Sequence, residues 1–287
     1  MSVSKEIKQK HVKMFYPTVR VRAKQAGGSG TVVYSKKHSG EVHTYVITNH
    51  HVVEKCIAVE KKWNPALKRK VDTEKLDTVN VEFFRYNNYS HCVGSFAMEA
   101  DIVAYSEVDG GQDWALLRIR DKENISDHVA NIFPLKDIDN VHIFDKCFAV
   151  GASLGHPPIA SEGHISYMDD EIDHYKYWMS SAQTIFGNSG GAVYRWSPKR
   201  KTYEYIGVPS RISIAPMGFS ADAITHMGYF IPIDRLCELL DENDLGNFVD
   251  LELYKPQTWD NLISDSSLGK LKIKVSDVQK KFEKKQL

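Results

Sequence analysis

The chain has 287 residues, of which 42% are hydrophobic and 26% are charged; these values are ordinary for a globular protein and exclude a mostly disordered or fibrous chain. Its 37 basic and 37 acidic residues cancel, so bulk charge predicts neither a nucleic-acid nor a membrane partner. No apolar run approaches the ~20 residues that span a bilayer, and the charged start lacks the apolar stretch of a secretory signal, so we expect a cytoplasmic protein.

Strand-like segments dominate the chain, each rich in Val, Ile, Thr, Tyr or Phe and bounded by Gly, Asn, Asp or Ser. Six precede residue 121 and six follow residue 140, with a polar connector at 121–137. Two sets of six short strands predict an all-β protein of two six-stranded antiparallel barrels rather than alternating βαβ units. The predicted strands are 16–23, 30–35, 44–49, 78–86, 96–108, 114–120, 147–153, 163–169, 175–182, 191–196, 203–214 and 227–233.

Helical patterns occur near the two ends of the chain. Apolar residues from Ile233 to Leu240 are spaced 0, 3, 4 and 7, which is one face of a helix that would close the second barrel. Segment 5–15 is weakly amphipathic, and a capping box predicts a short helix from about Asp277. The predicted domains are 1–125 with the N-terminal flank and first barrel, 126–245 with the second barrel and closing helix, and 246–287 as a partly helical tail.

The four cysteines are too few and too widely spaced for a disulfide framework in a chain of this length. We therefore expect reduced, mostly buried thiols. Neither a CxxC pair nor an HExxH pattern occurs, so no metal site and no cofactor are expected.

Three short patterns contain residue types suited to nucleophilic catalysis. The segment Val46–Val53 runs from a strand into His50 and His51, Asp113 precedes an apolar strand, and Ser189 lies in a glycine-rich turn. A serine hydroxyl is a weak nucleophile at neutral pH and needs an adjacent base such as imidazole. A carboxylate behind that base fixes its tautomer and stabilises its cation. The attacked carbonyl becomes an oxyanion, which needs backbone donors. Glycines let the main chain turn so that its amides converge on that oxygen.

These patterns give the sequence a resemblance to the trypsin-like serine peptidases, and most of all to the branch that includes the HtrA/DegP proteases. The resemblance implies two six-stranded barrels with the active site in the cleft between them. About forty residues follow the closing helix, so we expect no PDZ module. The similar elements lie within residues 16–243 and are TN-x-H-V-V, D-x-A-L-L, G-N-S-G-G, Val150–Gly155, Ser161–Ser166 and Gly228–Ile233.

The resemblance also implies the catalytic residues. His51 matches the general base, Asp113 the residue that orients it, and Ser189 the nucleophile. The residue types alone leave His50 and His51 as alternatives; the family places the catalytic histidine directly before Val-Val, which selects His51. The expected oxyanion donors are the backbone amides of Gly187, Asn188 and Ser189.

Specificity is inferred in the same way. Gln183 occupies the position that holds Asp in relatives cutting after Lys or Arg, so we expect an apolar or small uncharged residue before the scissile bond. Thr184 matches Glu- or Gln-selective enzymes, but Pro209 replaces the histidine that accompanies it there. Ser210 matches a serine that hydrogen-bonds the buried aspartate, and the substrate would add to 210–212 as a β-strand. The expected substrate-binding residues are Gln183, Thr184, Ile185, Phe186, Ser210, Arg211, Ile212, Gly228, Tyr229 and Phe230.

The resulting prediction is a serine endopeptidase that acts on polypeptides through an acyl-enzyme. No membrane or nucleic-acid partner is expected, and the oligomeric state stays open. Two alternatives remain. One is a binding module that keeps the protease fold with an idle triad. The other is an added nucleic-acid or protein contact through the basic, Trp-containing insertion Lys61–Lys70, which we otherwise interpret as a solvated loop.

Overall fold

A computed structural model describes residues 3–38, 40–89, 91–106, 112–217 and 220–242. The chain divides into two compact units, Met1–Leu236 and Cys237–Leu287. All the strands described below belong to the first unit. The helix predicted from Asp277 and the tail 246–287 lie outside the described residues, and the predicted domain boundaries stay predictions.

The N-terminal half holds eight strands, of which six form a barrel. The barrel order is β1-β2-β3-β8-β7-β6, and β1 pairs with β6 to close it, with Val21 opposite Val81. Alternate residues such as Val19 and Val21 have no exposed surface, because successive side chains of a strand point to opposite faces. The strands are β1 (Thr18–Ala23), β2 (Ala26–His38), β3 (Glu41–Thr48), β4 (Ile57–Asn64), β5 (Arg69–Leu76), β6 (Val79–Asn87), β7 (His91–Tyr105) and β8 (Ala115–Ile119).

Strands β4 and β5 form a separate two-stranded hairpin. The interpretation of Lys61–Lys70 as a loop is therefore wrong: most of this segment is in strand, with a turn between. Neither face is covered by the barrel, so the apolar alternation that marks a strand is missing here. Asn64 orders the turn, because its side-chain oxygen accepts hydrogen bonds from the backbone amides of Ala66 and Leu67.

The second set of six strands also closes, in the order β10-β11-β14-β13-β12-β9. Large aromatic side chains fill its interior: Trp178 packs edge-on against Phe230, with ring centroids 5.9 Å apart. The predicted double barrel is confirmed. The strands are β9 (Lys146–Gly151), β10 (Ile159–Ile172), β11 (Tyr175–Ser180), β12 (Ala192–Ser197), β13 (Thr202–Met217) and β14 (Ser220–Pro232).

Three α-helices occur in the described part of the chain. Helix α1 (Lys5–Lys10) continues into a π-helical turn, His11–Phe15, in place of the single helix predicted over 5–15. Helix α2 (His50–Val53) is a single turn after β3, and α3 (Ile233–Glu242) is the predicted helix after the last strand. No described helix combines the length and apolarity needed to cross a membrane. All four cysteines are free, and only Cys92 is exposed.

Candidate active site

His51 and Asp113 meet at the end of the first barrel. Nδ1 of His51 lies 3.0 Å from Oδ1 and 2.9 Å from Oδ2 of Asp113, whose Oδ1 also accepts a hydrogen bond from the backbone amide of His51 at 3.1 Å. Asp113 adopts a φ of 48°, and the Asn49 side chain donates to its carbonyl oxygen at 2.6 Å. The strained residue is thus held from both its backbone and its side chain.

The carboxylate of Asp113 is kept ionised by its neighbours. Burial by itself raises the pKa of this group, but the hydrogen bond and charge of His51 and the hydroxyl of Ser210 outweigh it and hold the pKa below its ordinary value. The Ser210 hydroxyl donates to Oδ2 of Asp113 from strand β13 of the second barrel. One carboxylate therefore connects both barrels to the imidazole.

The structure separates the two adjacent histidines. His50 is buried, and its ring lies 5.2 Å from that of Tyr105. Burial lowers the pKa of His50 and so favours its neutral form. The side chain of His51 is 48% exposed and faces Asp113. Only His51 is both accessible to a substrate and paired with the carboxylate.

The turn that carries Ser189 is fixed by both barrels. The carbonyl oxygen of Ser189 accepts a hydrogen bond from the Ser29 amide at 2.8 Å, and the next amide, of Gly190, donates to the carbonyl of Pro209 at 3.1 Å. Gly190 has a φ of +81°, and a Cβ there would lie 2.3 Å from the Ser29 carbonyl oxygen, so only glycine fits. The turn of Ser189 is thus connected through Gly190 to Pro209. Pro209 directly precedes Ser210, whose hydroxyl donates to Asp113.

No hydrogen bond joins the side chains of Ser189 and His51 in the described part of the chain. Such bonds are often long or poorly aligned in enzymes without substrate and tighten when substrate binds. The His51–Asp113 pair is thus formed, whereas the turn of Ser189 is connected to this region through the Gly190 amide and Pro209, the neighbour of Ser210 in sequence.

Two of the three predicted oxyanion amides have no hydrogen-bond acceptor in the described part of the protein. Among the described residues, the amides of Gly187 and Ser189 make no hydrogen bond, whereas the amide of Asn188 donates to Ile185 at 3.0 Å. The carbonyl of Phe186 accepts from Leu154 at 3.2 Å. Because N–H and C=O point in opposite directions across a trans peptide, this contact turns the Gly187 N–H away from Leu154.

Ser29 is a site residue that the sequence analysis missed. Its buried hydroxyl donates to the carbonyl of Gly187 at 2.6 Å and accepts from the amide of Ala152 at 2.7 Å. A first-barrel side chain thus supports the turn that carries the nucleophile. The only signal in the sequence is a serine within the glycine-rich run Gly27–Gly30 at the start of the strand.

The segment before Ser189 lies beside strand β14. The amide of Thr184 donates to Thr225 at 2.7 Å, and a Cβ added to Gly228 would lie 2.6 Å from the Thr184 hydroxyl. Gln183 and Phe186 are exposed, the latter at 68%. The expected pocket segments are therefore adjacent and pack closely.

The remaining predicted substrate-binding residues lie on β13 and β14. Arg211 pairs with Tyr229, and Ile212 pairs with Gly228. The side chain of Phe230 is 1% exposed and packs in the barrel core.

Strand β13 has a free edge at the predicted substrate-binding segment. Its pairing with β12 covers only Thr202–Gly207, whereas its pairing with β14 continues to Met217. Within the described chain, Ser210–Ile212 therefore has a strand neighbour on one side only. The guanidinium of Arg211 stays beside this edge, bound to Asp173 at 2.7 Å.

More than half of the chain matches a known protein family. The family described as the trypsin-like peptidase domain matches residues 28–197. No curated protein sequence matches the chain significantly. The described residues contain no group of three His, Cys, Asp or Glu side chains that could hold a metal ion.

Similar solved structures include the HtrA-type protease AlgW with a tripeptide, with a TM-score of 0.56 and 17% identity over 82% of this chain and 62% of that chain. AlgW with a decapeptide gives 0.56 and 16% over 85% and 69%. The serine endoprotease from Yersinia pestis gives 0.53 and 18% over 84% and 67%. The chain spans less than two thirds of the AlgW chain in the tripeptide complex, and these similarities establish the double-barrel fold.

Proposed function

The chain belongs to the trypsin-like peptidase family, and from that premise we propose that it is a serine endopeptidase with Ser189 as its nucleophile. The observation that carries the proposal is the buried Asp113 carboxylate, which faces Nδ1 of an exposed His51 beside the turn that holds Ser189. This is the arrangement that a serine hydroxyl needs in order to be deprotonated at neutral pH.

In the proposed reaction, Nε2 of His51 takes the proton of the Ser189 hydroxyl as the oxygen attacks the peptide carbonyl. The imidazolium then gives that proton to the leaving amine, and an acyl-enzyme remains. Water repeats the two steps on the ester and regenerates the serine. Asp113 stays ionised throughout, which its lowered pKa supports.

The oxyanion of each tetrahedral intermediate would be held by the amides of Gly187 and Ser189. Both are without an acceptor among the described residues, and the Gly187 peptide is turned by the contact of Phe186 with Leu154. The Asn188 amide, the third donor expected from the sequence, donates instead to the carbonyl of Ile185. Loss of one such donor typically costs ~10²–10³ in turnover.

The substrate would add to the free edge of β13 at Ser210–Ile212, which recognises backbone rather than sequence. We propose an apolar or small uncharged residue before the scissile bond, since Gln183 supplies no carboxylate for a basic side chain. A Cβ added to Gly228 would collide with the Thr184 hydroxyl, which supports a narrow space in this region.

A fluorophosphonate probe tests the proposal directly, because it reacts only with an activated serine. We expect it to label the wild-type chain and not Ser189→Ala, and casein cleavage to disappear in the same variant while the melting temperature is retained. Casein cleavage that is unchanged in Ser189→Ala would refute the assignment.

No hydrogen bond joins the side chains of His51 and Ser189 in the described residues, and this observation favours a second candidate function. The candidate is a peptide-binding module whose three triad residues are catalytically inactive. A folded chain that binds peptides but neither reacts with the probe nor cleaves casein would favour this candidate over the endopeptidase.

A further inference from the structure

The β4–β5 hairpin carries exposed side chains that the fold does not use. One face presents Val59 and Trp63, which are 64% and 61% exposed. Lys61 and Lys70 share this face, because residues two apart on a strand point the same way and Trp63 pairs with Lys70 across the hairpin. We call these four residues the basic–aromatic face.

The charges of the hairpin are unevenly distributed. Segment 57–76 contains six basic and three acidic residues, a net charge of +3 in a chain whose formal net charge is zero. Glu60, on the opposite face, lies 3.7 Å from Lys62 and 4.0 Å from Lys75. In the described chain, no carboxylate lies within ion-pair distance of Lys61, Lys68, Arg69 or Lys70.

Two carboxylates share the basic–aromatic face without neutralising it. Asp72 lies opposite Lys61 in the pairing, but no ion pair forms between them. The Glu74 side chain hydrogen-bonds Tyr105, so it points toward the base of the hairpin. The outer part of the face therefore keeps its positive charge beside an exposed indole ring.

The base of the hairpin is attached next to the candidate active site. Strand β4 begins six residues after His51, and Tyr105, which bonds Glu74, packs its ring on His50. Eight residues of β4 span about 23 Å from this base to the turn at about 3.3 Å per step. A polypeptide bound in the cleft therefore needs only about seven extended residues to reach the basic–aromatic face.

From this geometry we infer that the basic–aromatic face is a secondary binding surface for acidic segments of polypeptide substrates, placed to capture them beside the cleft. The inference rests on the proposed function for its purpose, but not for the binding itself. Charge complementarity and the short distance to His51 select the occupant: an acidic segment joined to the scissile bond by a short extended linker. A nucleic acid would use the same charges but has no reason to lie beside a peptide-cleaving site.

The test compares two fluorescent peptides that differ only in one stretch, four glutamates or four glutamines, about seven residues from a central apolar site. Their binding to the full chain carrying Ser189→Ala is measured by fluorescence anisotropy at low salt. The hairpin variant is Lys61→Gln, Lys68→Gln and Lys70→Gln. The control variant, Lys5→Gln, Lys37→Gln and Lys201→Gln, removes the same charge from exposed positions on other elements.

We expect the hairpin variant to bind the glutamate peptide roughly three- to tenfold more weakly, as three exposed charge contacts allow, and the glutamine peptide unchanged. The control variant should bind both peptides like the parent chain. The difference should disappear near 0.5 M salt, because exposed charges are screened there. When Ser189 is restored in each protein, the hairpin substitutions should lower kcat/KM for the glutamate peptide by the same factor as its affinity and leave kcat/KM for the glutamine peptide unchanged. Fluorophosphonate labelling should be the same in all three proteins.

Equal affinity of the parent chain for both peptides, or equal loss in the hairpin and control variants, would overturn the inference. Binding of a mixed-sequence single-stranded oligonucleotide that is tighter than glutamate-peptide binding, and that only the hairpin variant loses, would overturn it in favour of a nucleic-acid site. Failure of the wild-type chain, with Ser189 intact, to react with fluorophosphonate would count against the proposed peptidase, while the anisotropy comparison would still decide the binding surface.

Discussion

Replacing Asp113 by Asn removes the negative charge beside His51 and keeps a side chain of nearly the same shape. The carboxylate is mostly buried, with 15% of its side chain exposed, and both of its oxygens lie about 3 Å from Nδ1 of His51. An Asn can turn its oxygen toward Nδ1 and its amino group toward the Ser210 hydroxyl, which can also accept. The hydrogen bonds of residue 113 can therefore be kept in the variant. What the variant loses is the electrostatic attraction between the carboxylate and the imidazolium.

That attraction can be estimated from the geometry. Two unit charges about 4 Å apart, roughly the distance between the two charge centres, interact by about 4 kcal/mol at an effective dielectric constant of 20. At about 1.4 kcal/mol for each factor of ten, the charge alone corresponds to ~10³ in kcat. If the Asn amino group faces Nδ1 instead, the proton is forced onto Nε2, the base is blocked, and the loss rises toward ~10⁴.

The assay is kcat/KM on an internally quenched peptide at pH 8, with Ser189→Ala as the floor and thermal unfolding as the control for folding. We expect Asp113→Asn to retain the melting temperature within a few degrees and to lose ~10³–10⁴ in kcat/KM. A loss below tenfold in a fully folded variant would refute the electrostatic role assigned to this carboxylate.

Three further outcomes are expected. Ser29→Ala leaves the Gly187 carbonyl without its buried donor, so kcat should fall by roughly ten- to a hundredfold with little change in KM; an unchanged kcat would show that the turn needs no such support. Gly190→Ala forces a Cβ against the Ser29 carbonyl, and the displaced nucleophile should lower kcat/KM by ~10²; full activity of this variant would contradict the described contact. Glu82 accepts from Arg20 at 2.8 Å, and its pKa is lowered in the folded chain, so Glu82→Gln should cost about 1–3 kcal/mol of unfolding free energy at pH 7. A lowered folded pKa gives its full stabilisation above the unfolded value near 4.5 and loses it as the pH falls from there through the folded pKa, so the difference between wild type and this variant should shrink below pH 4.5 in denaturant titrations; a difference constant with pH would argue against an ionised Glu82.

The two barrels were predictable because each strand has one face in a core. Val19 and Val21 alternate with polar residues on β1, and twelve segments of this kind in two groups leave few other architectures. The β4–β5 hairpin was not predictable from the same pattern, because neither of its faces enters a core and burial imposes no alternation on it. Its strands are specified by cross-strand pairing and by the turn at Asn64.

The candidate site divides in a similar way. His51, Asp113 and Ser189 are predictable because their three short motifs, weak singly, occur together and resemble one family. The family position that selects His51 over His50 agrees with the geometry that pairs His51 with Asp113. Ser29 was invisible, because its contacts with Gly187 cross from one barrel to the other. A tertiary contact between residues 158 positions apart leaves no local periodicity to detect.

The position of Ser29 links catalysis to the alignment of the two barrels. The turn that carries Ser189 belongs to one barrel, yet its support comes from the Ser29 hydroxyl on the other, so a small relative rotation of the barrels would withdraw that support while each β-sheet stayed intact. Heating should then extinguish turnover before circular dichroism registers melting, and cooling should restore it. The catalytic rate of such a chain would depend on whether its two barrels are packed together correctly.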